Sequence, residues 1–381
     1  MTETKRPREK AITEDEAKLY DRQLRLWGAA AQARMLASNV LVAGRFRGIA
    51  VDAVKNVVLA GIGSLTLLDG EDLQEEDLGA NYFAREEDLG QKRVEASAPR
   101  VQALNPRVNL STETNARLLF DEDYLSQFDL VVVTDVDAPT LVSFPGVRTR
   151  ASTRAASLVR VDPALTSPKT APCPPTPNLD SPGSQLSLNA LTRKLGKRLF
   201  AAGSIGLDGW MFADLLSHDY VVDKHKSVSQ GETIVVPTKV TVEYAPFDKA
   251  LEHKFGRLKK RELKRTGTAL WGALSLFAAQ RTATPDAVTA PQTVEVDQAA
   301  LKSAAQKLLP ELGVPEDILP ADEIDRIAAL QSAEFAPSCA IVGGILGQDI
   351  LNAVGGKEEP VRNLLVFEGA TGQGRVYALG V

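Results

Sequence analysis

Two short apolar runs flank a glycine-marked helix, and this constrains the chain more than any other feature. Asn39-Val40-Leu41-Val42-Ala43 is apolar without alternation and ends at Gly44, the pattern of a strand buried on both faces. Gly44-Arg45-Phe46-Arg47-Gly48-Ile49-Ala50 follows. A helical spacing then runs through Val51, Val54, Val57 and Val58 until Gly61 and Gly63 end it. The second run, Ser64-Leu65-Thr66-Leu67-Leu68-Asp69, closes on an acid about 25 residues after the first glycine. Parallel strands joined this way need helices on both faces of the sheet. A helix over Val94–Leu104, a strand over Arg107–Ser111 and an apolar strand over Asp129–Asp135 continue the alternation. The fold class is α/β: a Rossmann-like, mostly parallel sheet with helices on both faces, plus C-terminal helices and strands.

This layout is the one that binds nucleotides, but the loop itself is degraded. A working Gly-x-Gly-x-x-Gly turn needs its second glycine so that backbone can approach the phosphates. Here the loop Gly44, Phe46, Gly48 puts a phenylalanine at that place, with Arg47 beside it. No nucleotide binding is expected in this loop. Asp69 is either a ribose ligand or an ordinary loop aspartate.

Ahead of the first strand lies Tyr20-Asp21-Arg22-Gln23-Leu24-Arg25-Leu26-Trp27-Gly28. Tyr20, Leu24 and Trp27 share one helical face, and Arg22 and Arg25 share another. The pattern fits an amphipathic helix with solvated arginines. It equally fits an arginine serving a phosphate, since the planar guanidinium matches phosphate oxygens. Thr13 and Glu16 form a capping box, and the helix should run to Leu36 with a break at Gly28.

The net charge of −5 gives no pull toward nucleic acid or a membrane, and neither is expected as a partner. No apolar run approaches the roughly 20 residues that span a bilayer. Cys173 and Cys339 cannot build a disulfide framework, and no metal site is read from the sequence. Cys339 reads as a packed core cysteine within an apolar, small-residue helix over Cys339–Leu351. Lys5-Arg6-Pro7-Arg8-Glu9-Lys10 reads as a nuclear-import patch or a solvated tail. The nucleus is the expected location, with the cytoplasm as a second.

Residues 1–12 are expected to be a disordered tail, and 13–141 with 186–381 a single domain. From 142 to 185 the hydrophobic period vanishes, and the segment holds 8 of the chain's 21 prolines. It is read either as a translated intron or as a lineage-specific insertion. Val142-Ser143 can be encoded by a donor-like GTNAGT and Gln185 by an acceptor-like CAG. Beyond it the sequence predicts a helix from Leu186, a strand over Arg198–Ala202, a turn marked by Gly203, Gly206 and Gly209, and a strand near Tyr220. A strand over Thr238–Tyr244 and a helix over Ala250–Gln280 carrying an exposed basic run follow. The Pro/Thr linker Thr282–Gln298, helices over Leu301–Leu312 and Ala321–Ser332, and strands over Asn363–Glu368 and Gly374–Ala378 complete the chain.

Taken together, the opening motif, Ala60 to Asp69, Gly90-Gln91-Lys92-Arg93-Val94-Glu95-Ala96 and Leu104-Asn105-Pro106 resemble the ThiF-like activating enzymes of ubiquitin and its relatives. Ala201-Ala202-Gly203, Asp208-Gly209, Ala340 to Gln348 and Phe367-Glu368-Gly369 fit the same family. Within it the chain most resembles the smaller, regulatory subunits of SUMO-activating heterodimers. A regulatory subunit for a Nedd-type modifier and a pure scaffold are the alternatives. The resemblance implies a pseudo-adenylation domain paired with a larger catalytic subunit, which binds ATP and Mg2+ and holds the thioester cysteine. SUMO is engaged through the complex. The family's phosphate-handling arginine is missing at Gly79-Ala80-Asn81, Arg93 stands where its lysine would be, and no thioester cysteine is expected here. The resemblance carries Arg22 into the partner's ATP site in trans, with Arg25 and Trp27 as interface candidates. A free-standing adenylyltransferase and a nicotinamide oxidoreductase are both disfavoured by the broken loop.

Overall fold

The computed structural model describes residues 10–142, 187–229, 232–263, 265–283 and 294–380. The 142–185 insertion, Cys173, the Lys5–Lys10 patch and most of the Pro/Thr linker lie outside the described residues, Val142 and Lys10 apart. Helices α1 (Glu14–Leu19) and α2 (Asp21–Leu36) lead into strand β1 (Asn39–Gly44). Then come α3 (Gly48–Ala60), β2 (Ser64–Leu68), α4 (Arg93–Leu104), β3 (Asn109–Glu113), α5 (Glu122–Ser126), β4 (Leu130–Thr134) and α6 (Ala138–Leu141). After the insertion the chain forms α7 (Leu188–Lys194), β5 (Arg198–Ile205), β6 (Asp208–Asp214), β7 (Ser217–Ser229) and β8 (Glu232–Glu243). It ends with α8 (Phe247–Leu251), α9 (Lys260–Leu263), α10 (Thr268–Ala283), α11 (Gln298–Glu311), α12 (Ala321–Leu330), α13 (Ala336–Gly355), β9 (Leu364–Glu368) and β10 (Gln373–Tyr377).

Eight strands make one sheet in the order β10-β9-β6-β5-β4-β1-β2-β3. The run from β5 to β3 is parallel, and β6, β9 and β10 extend it antiparallel. Alternate side chains of each strand point to opposite faces. Leu41, Val131 and Val133 therefore join one core with α10 and α11, while Val40, Val42 and Val132 join a second with α3 and α13. Burial on both faces explains the continuous apolar runs.

Helix α13 lies on α3 through its glycines. A Cβ on Gly343 would sit 2.7 Å from the Ile49 carbonyl oxygen, and one on Gly347 would sit 2.9 Å from Asn56 Cβ. At 20 residues α13 is long and apolar enough to match a bilayer, which corrects the expectation that no such run exists. Most of it is buried against α3 and the sheet, as in a core helix.

Three further expectations need correction. Gly203 and Gly209 are strand residues of a β5–β6 hairpin, and only Gly206 of the three makes the turn, at φ 60°. The other two are small because Trp210 and Val342 press on them, each 2.8 Å from where a Cβ would be. The Thr238–Tyr244 strand is part of a longer two-stranded ribbon, β7 with β8. The expected Ala250–Gln280 helix is three helices, α8, α9 and α10, and Gly267 at φ 78° precedes the last.

Candidate functional site

The chain's own nucleotide loop is filled from within. Phe46 is buried, and its N–H donates to Asp69 Oδ2 at 2.9 Å. The other Asp69 oxygen accepts the Glu71 N–H at 3.0 Å, and Arg93 Nη1 binds Oδ2 as well. Arg93 Nε also reaches Asp77 Oδ2 at 2.9 Å, and Arg47 Nη1 reaches Asp77 Oδ1 at 3.2 Å. Arg47 Nε pairs with Glu334 Oε2 at 3.1 Å. Asn81 donates to the Phe46 carbonyl and to Ser97 Oγ, both at 3.1 Å.

Arg93, Asp69 and Asp77 thus satisfy one another, while both Glu334 oxygens are buried without a hydrogen-bond donor. Burial opposes the charge on Arg93, but Asp69 and Asp77 outweigh it and raise its pKa. Burial also pushes Asp77 up, and the Gln74 N–H with Arg93 brings it below its ordinary value. Glu334 is pushed up to about 9 by burial and by neighbouring Asp135. Asp69, the possible ribose ligand, is spent on Phe46, Glu71 and Arg93. The neighbouring pocket, lined by Arg45, Asp135, Asp137, Trp210 and Phe277, measures ≈ 50 Å³, room for a few waters only. These residues do not fit a nucleotide.

The Tyr20–Gly28 motif lies elsewhere. Tyr20 separates α1 from α2, so the expected single helix is broken there as well as at Gly28. Gly28 takes φ 82°, ψ 165°, a conformation only glycine adopts cheaply, and its would-be Cβ meets nothing within 4 Å. The Tyr20 ring is buried over Gly61, and its Oη accepts from Asn105 Nδ2 at 2.9 Å. Trp27 Nε1 donates to Gln32 Oε1 at 2.9 Å, and Gln32 Nε2 donates to the Ala60 carbonyl at 2.9 Å. Trp27, an interface candidate, therefore spends its N–H inside the chain.

Both anchors sit at the C-terminal end of α3, whose N-terminus adjoins the Gly44–Gly48 loop. Thirteen helical residues put about 20 Å between them. Arg22 is exposed and, among the described residues, makes no hydrogen bond or ion pair. Arg25, an interface candidate, pairs with Asp21 at 2.9 Å, one turn away on its own helix. The motif's uncommitted guanidinium is held at the opposite pole from the chain's own loop.

Cys339 is a buried core residue, and burial, then Glu334 and Asp135, push its thiol pKa well up, against nucleophilic use. Among the described residues no group of three or more His, Cys, Asp or Glu is placed to hold a metal. Sequence reasoning missed Gln32 and the seat at Gly61. Gln32 carries a legible signal, a polar residue on the buried face of α2 between Ala31 and Met35.

Residues 20–139 match the family model described as "ThiF family". The chain is 32% identical to "DNA damage tolerance protein RHC31" of Saccharomyces cerevisiae, over 94% of this chain and 96% of that one. It is 32% identical to "SUMO-activating enzyme subunit 1" of Xenopus laevis, over 98% of each chain. The protein of that name from Homo sapiens is 31% identical, over 97% of this chain and 96% of its own length.

Proposed function

The chain belongs to the SUMO-activating enzyme subunit 1 family, and from that premise we propose that it is the non-catalytic half of a heterodimer whose larger subunit performs the chemistry. The larger subunit binds ATP and Mg2+, and the ATP supplies the adenylyl group that activates the C-terminal glycine of SUMO. Transfer to a cysteine of the larger subunit follows. This chain alone forms no adenylate.

Its contribution is Arg22, delivered in trans to the phosphates of the partner-bound ATP. A guanidinium fork donates two N–H groups to phosphate oxygens and stabilises the charge that develops as pyrophosphate leaves. One observation carries this reading. Arg22 is exposed and uncommitted on a motif pinned about 20 Å from a loop that the chain has filled with its own side chains.

Reconstitution with the larger subunit, ATP and SUMO tests it. Arg22→Ala should abolish most ATP–pyrophosphate exchange while the heterodimer still assembles. Unchanged exchange overturns the role of Arg22 and leaves a scaffold, and adenylate formation by this chain alone overturns the non-catalytic reading. The basic Lys5–Lys10 patch supports a nuclear location. Imaging the chain with Lys5, Arg6 and Arg8 replaced by alanine checks that, and unchanged nuclear signal refutes a role for the patch.

A further inference from the structure

We propose that Asn105 and Gln32 are positioning residues for Arg22, tying the two ends of its turn to the last carbonyls of α3. The inference rests on the trans-acting role of Arg22 proposed above. The final carbonyls of a helix have no partner within it. At α3, Val58 O takes the capping Gly61 N–H at 3.1 Å and also accepts from Asn105 Nδ2 at 3.0 Å, and Ala60 O accepts from Gln32 Nε2 at 2.9 Å. Each amide then reaches the arginine motif with its remaining capacity. Asn105 donates to Tyr20 Oη at 2.9 Å, and Gln32 accepts from Trp27 Nε1 at 2.9 Å.

The chemistry allows only one orientation of each amide. A carbonyl can only accept and an indole N–H can only donate. Gln32 flipped would face oxygen to Ala60 O and nitrogen to the Trp27 N–H, losing both bonds. Asn105 flipped would set its oxygen against Val58 O and lose the Arg107 N–H that Oδ1 accepts at 3.2 Å. Gln32, Asn105 and Tyr20 are all buried, so water does not compete for these bonds.

Tyr20 and Trp27 bracket Arg22, so the backbone that carries it is fixed at both ends to one rigid helix terminus. The neighbouring Arg25 pairs with Asp21 on its own helix. The cost of ordering the backbone that carries Arg22 is met during folding, before the heterodimer meets its substrate.

A double-mutant cycle in the reconstituted heterodimer tests this. Tyr20→Phe keeps the ring over Gly61 and removes only the acceptor for Asn105. Gln32→Leu removes the Trp27 tie. With Arg22 present, each should lower kcat for ATP–pyrophosphate exchange on the order of ten-fold. In an Arg22→Ala background each should add less than about two-fold. Equal losses in both backgrounds mean a purely structural role and overturn the proposal. An Arg22→Ala single variant with unchanged exchange overturns the trans-acting reading itself, and positioning falls with it. Gel filtration monitors assembly. If Gln32→Leu fails to fold, Tyr20→Phe carries the test.

Discussion

The phenol of Tyr20 sits where a side chain on Gly61 would be: a Cβ there would lie 2.4 Å from both Oη and Cζ. Gly61 is also the left-handed residue that ends α3, at φ 81°. Two independent demands thus fall on one glycine. Gly61→Ala should cost about 2 kcal/mol or more, from backbone strain plus the displaced ring. Urea unfolding of the chain measures the loss. Pyrophosphate exchange by the heterodimer should fall with it, because Tyr20 leaves its seat.

Arg22 and Arg25 should separate cleanly. Arg25 and Asp21 form an exposed i,i+4 pair, worth less than about 0.5 kcal/mol. Arg25→Ala should leave both stability and exchange nearly unchanged, within about two-fold for the rate. A loss as large as that of Arg22→Ala would show that Arg25 also acts at the ATP site.

Arg93 should be indispensable to folding although it contributes nothing to nucleotide binding. Replacing it by methionine of similar length leaves Asp69 and Asp77 buried beside a missing cation, a loss of about 3–5 kcal/mol. Denaturant midpoints test this. Calorimetric titration of Phe46→Gly with ATP should show no binding, since Arg93 still occupies Asp69.

The Glu334–Asp135 pair gives a pH signature. The folded chain holds a proton on Glu334 up to about pH 9, whereas an unfolded glutamate releases it near 4.5. Between those values the native state binds more protons, so this pair's contribution to stability falls as pH rises. Glu334→Gln should flatten the decline between pH 5 and 9 in thermal melts, and an unchanged slope would refute the assignment.

The origin of residues 142–185 has a direct check. A translated intron predicts that tryptic peptides from within 150–185 are missing from the native complex by mass spectrometry, and their detection refutes it.

Much of the fold was legible because strands buried on both faces must be apolar throughout. Val40–Ala43 and Leu130–Val133 announce themselves that way. Gly203 and Gly209 misled because glycine marks both turns and close packing, and only the positions of Trp210 and Val342 distinguish the two uses. The Ala250–Gln280 stretch misled because its composition is helical while its path is broken at turns.

The sequence by itself put a phenylalanine in the Gly44–Gly48 loop where a nucleotide cradle needs its second glycine. It also singled out two arginines beside a tyrosine and a tryptophan. Where the motif that carries them is seated, only the tertiary structure decided. Asp21 stands i,i+4 to Arg25 and not to Arg22, a local pairing that helical spacing already allows. The end of α3 on which Tyr20 and Trp27 rest depends on Gln32, Gly61 and Asn105, residues brought together by folding across 85 positions of chain between Tyr20 and Asn105. Local pattern specifies which face of an element is apolar. Long-range hydrogen bonds between buried groups specify where that element is held.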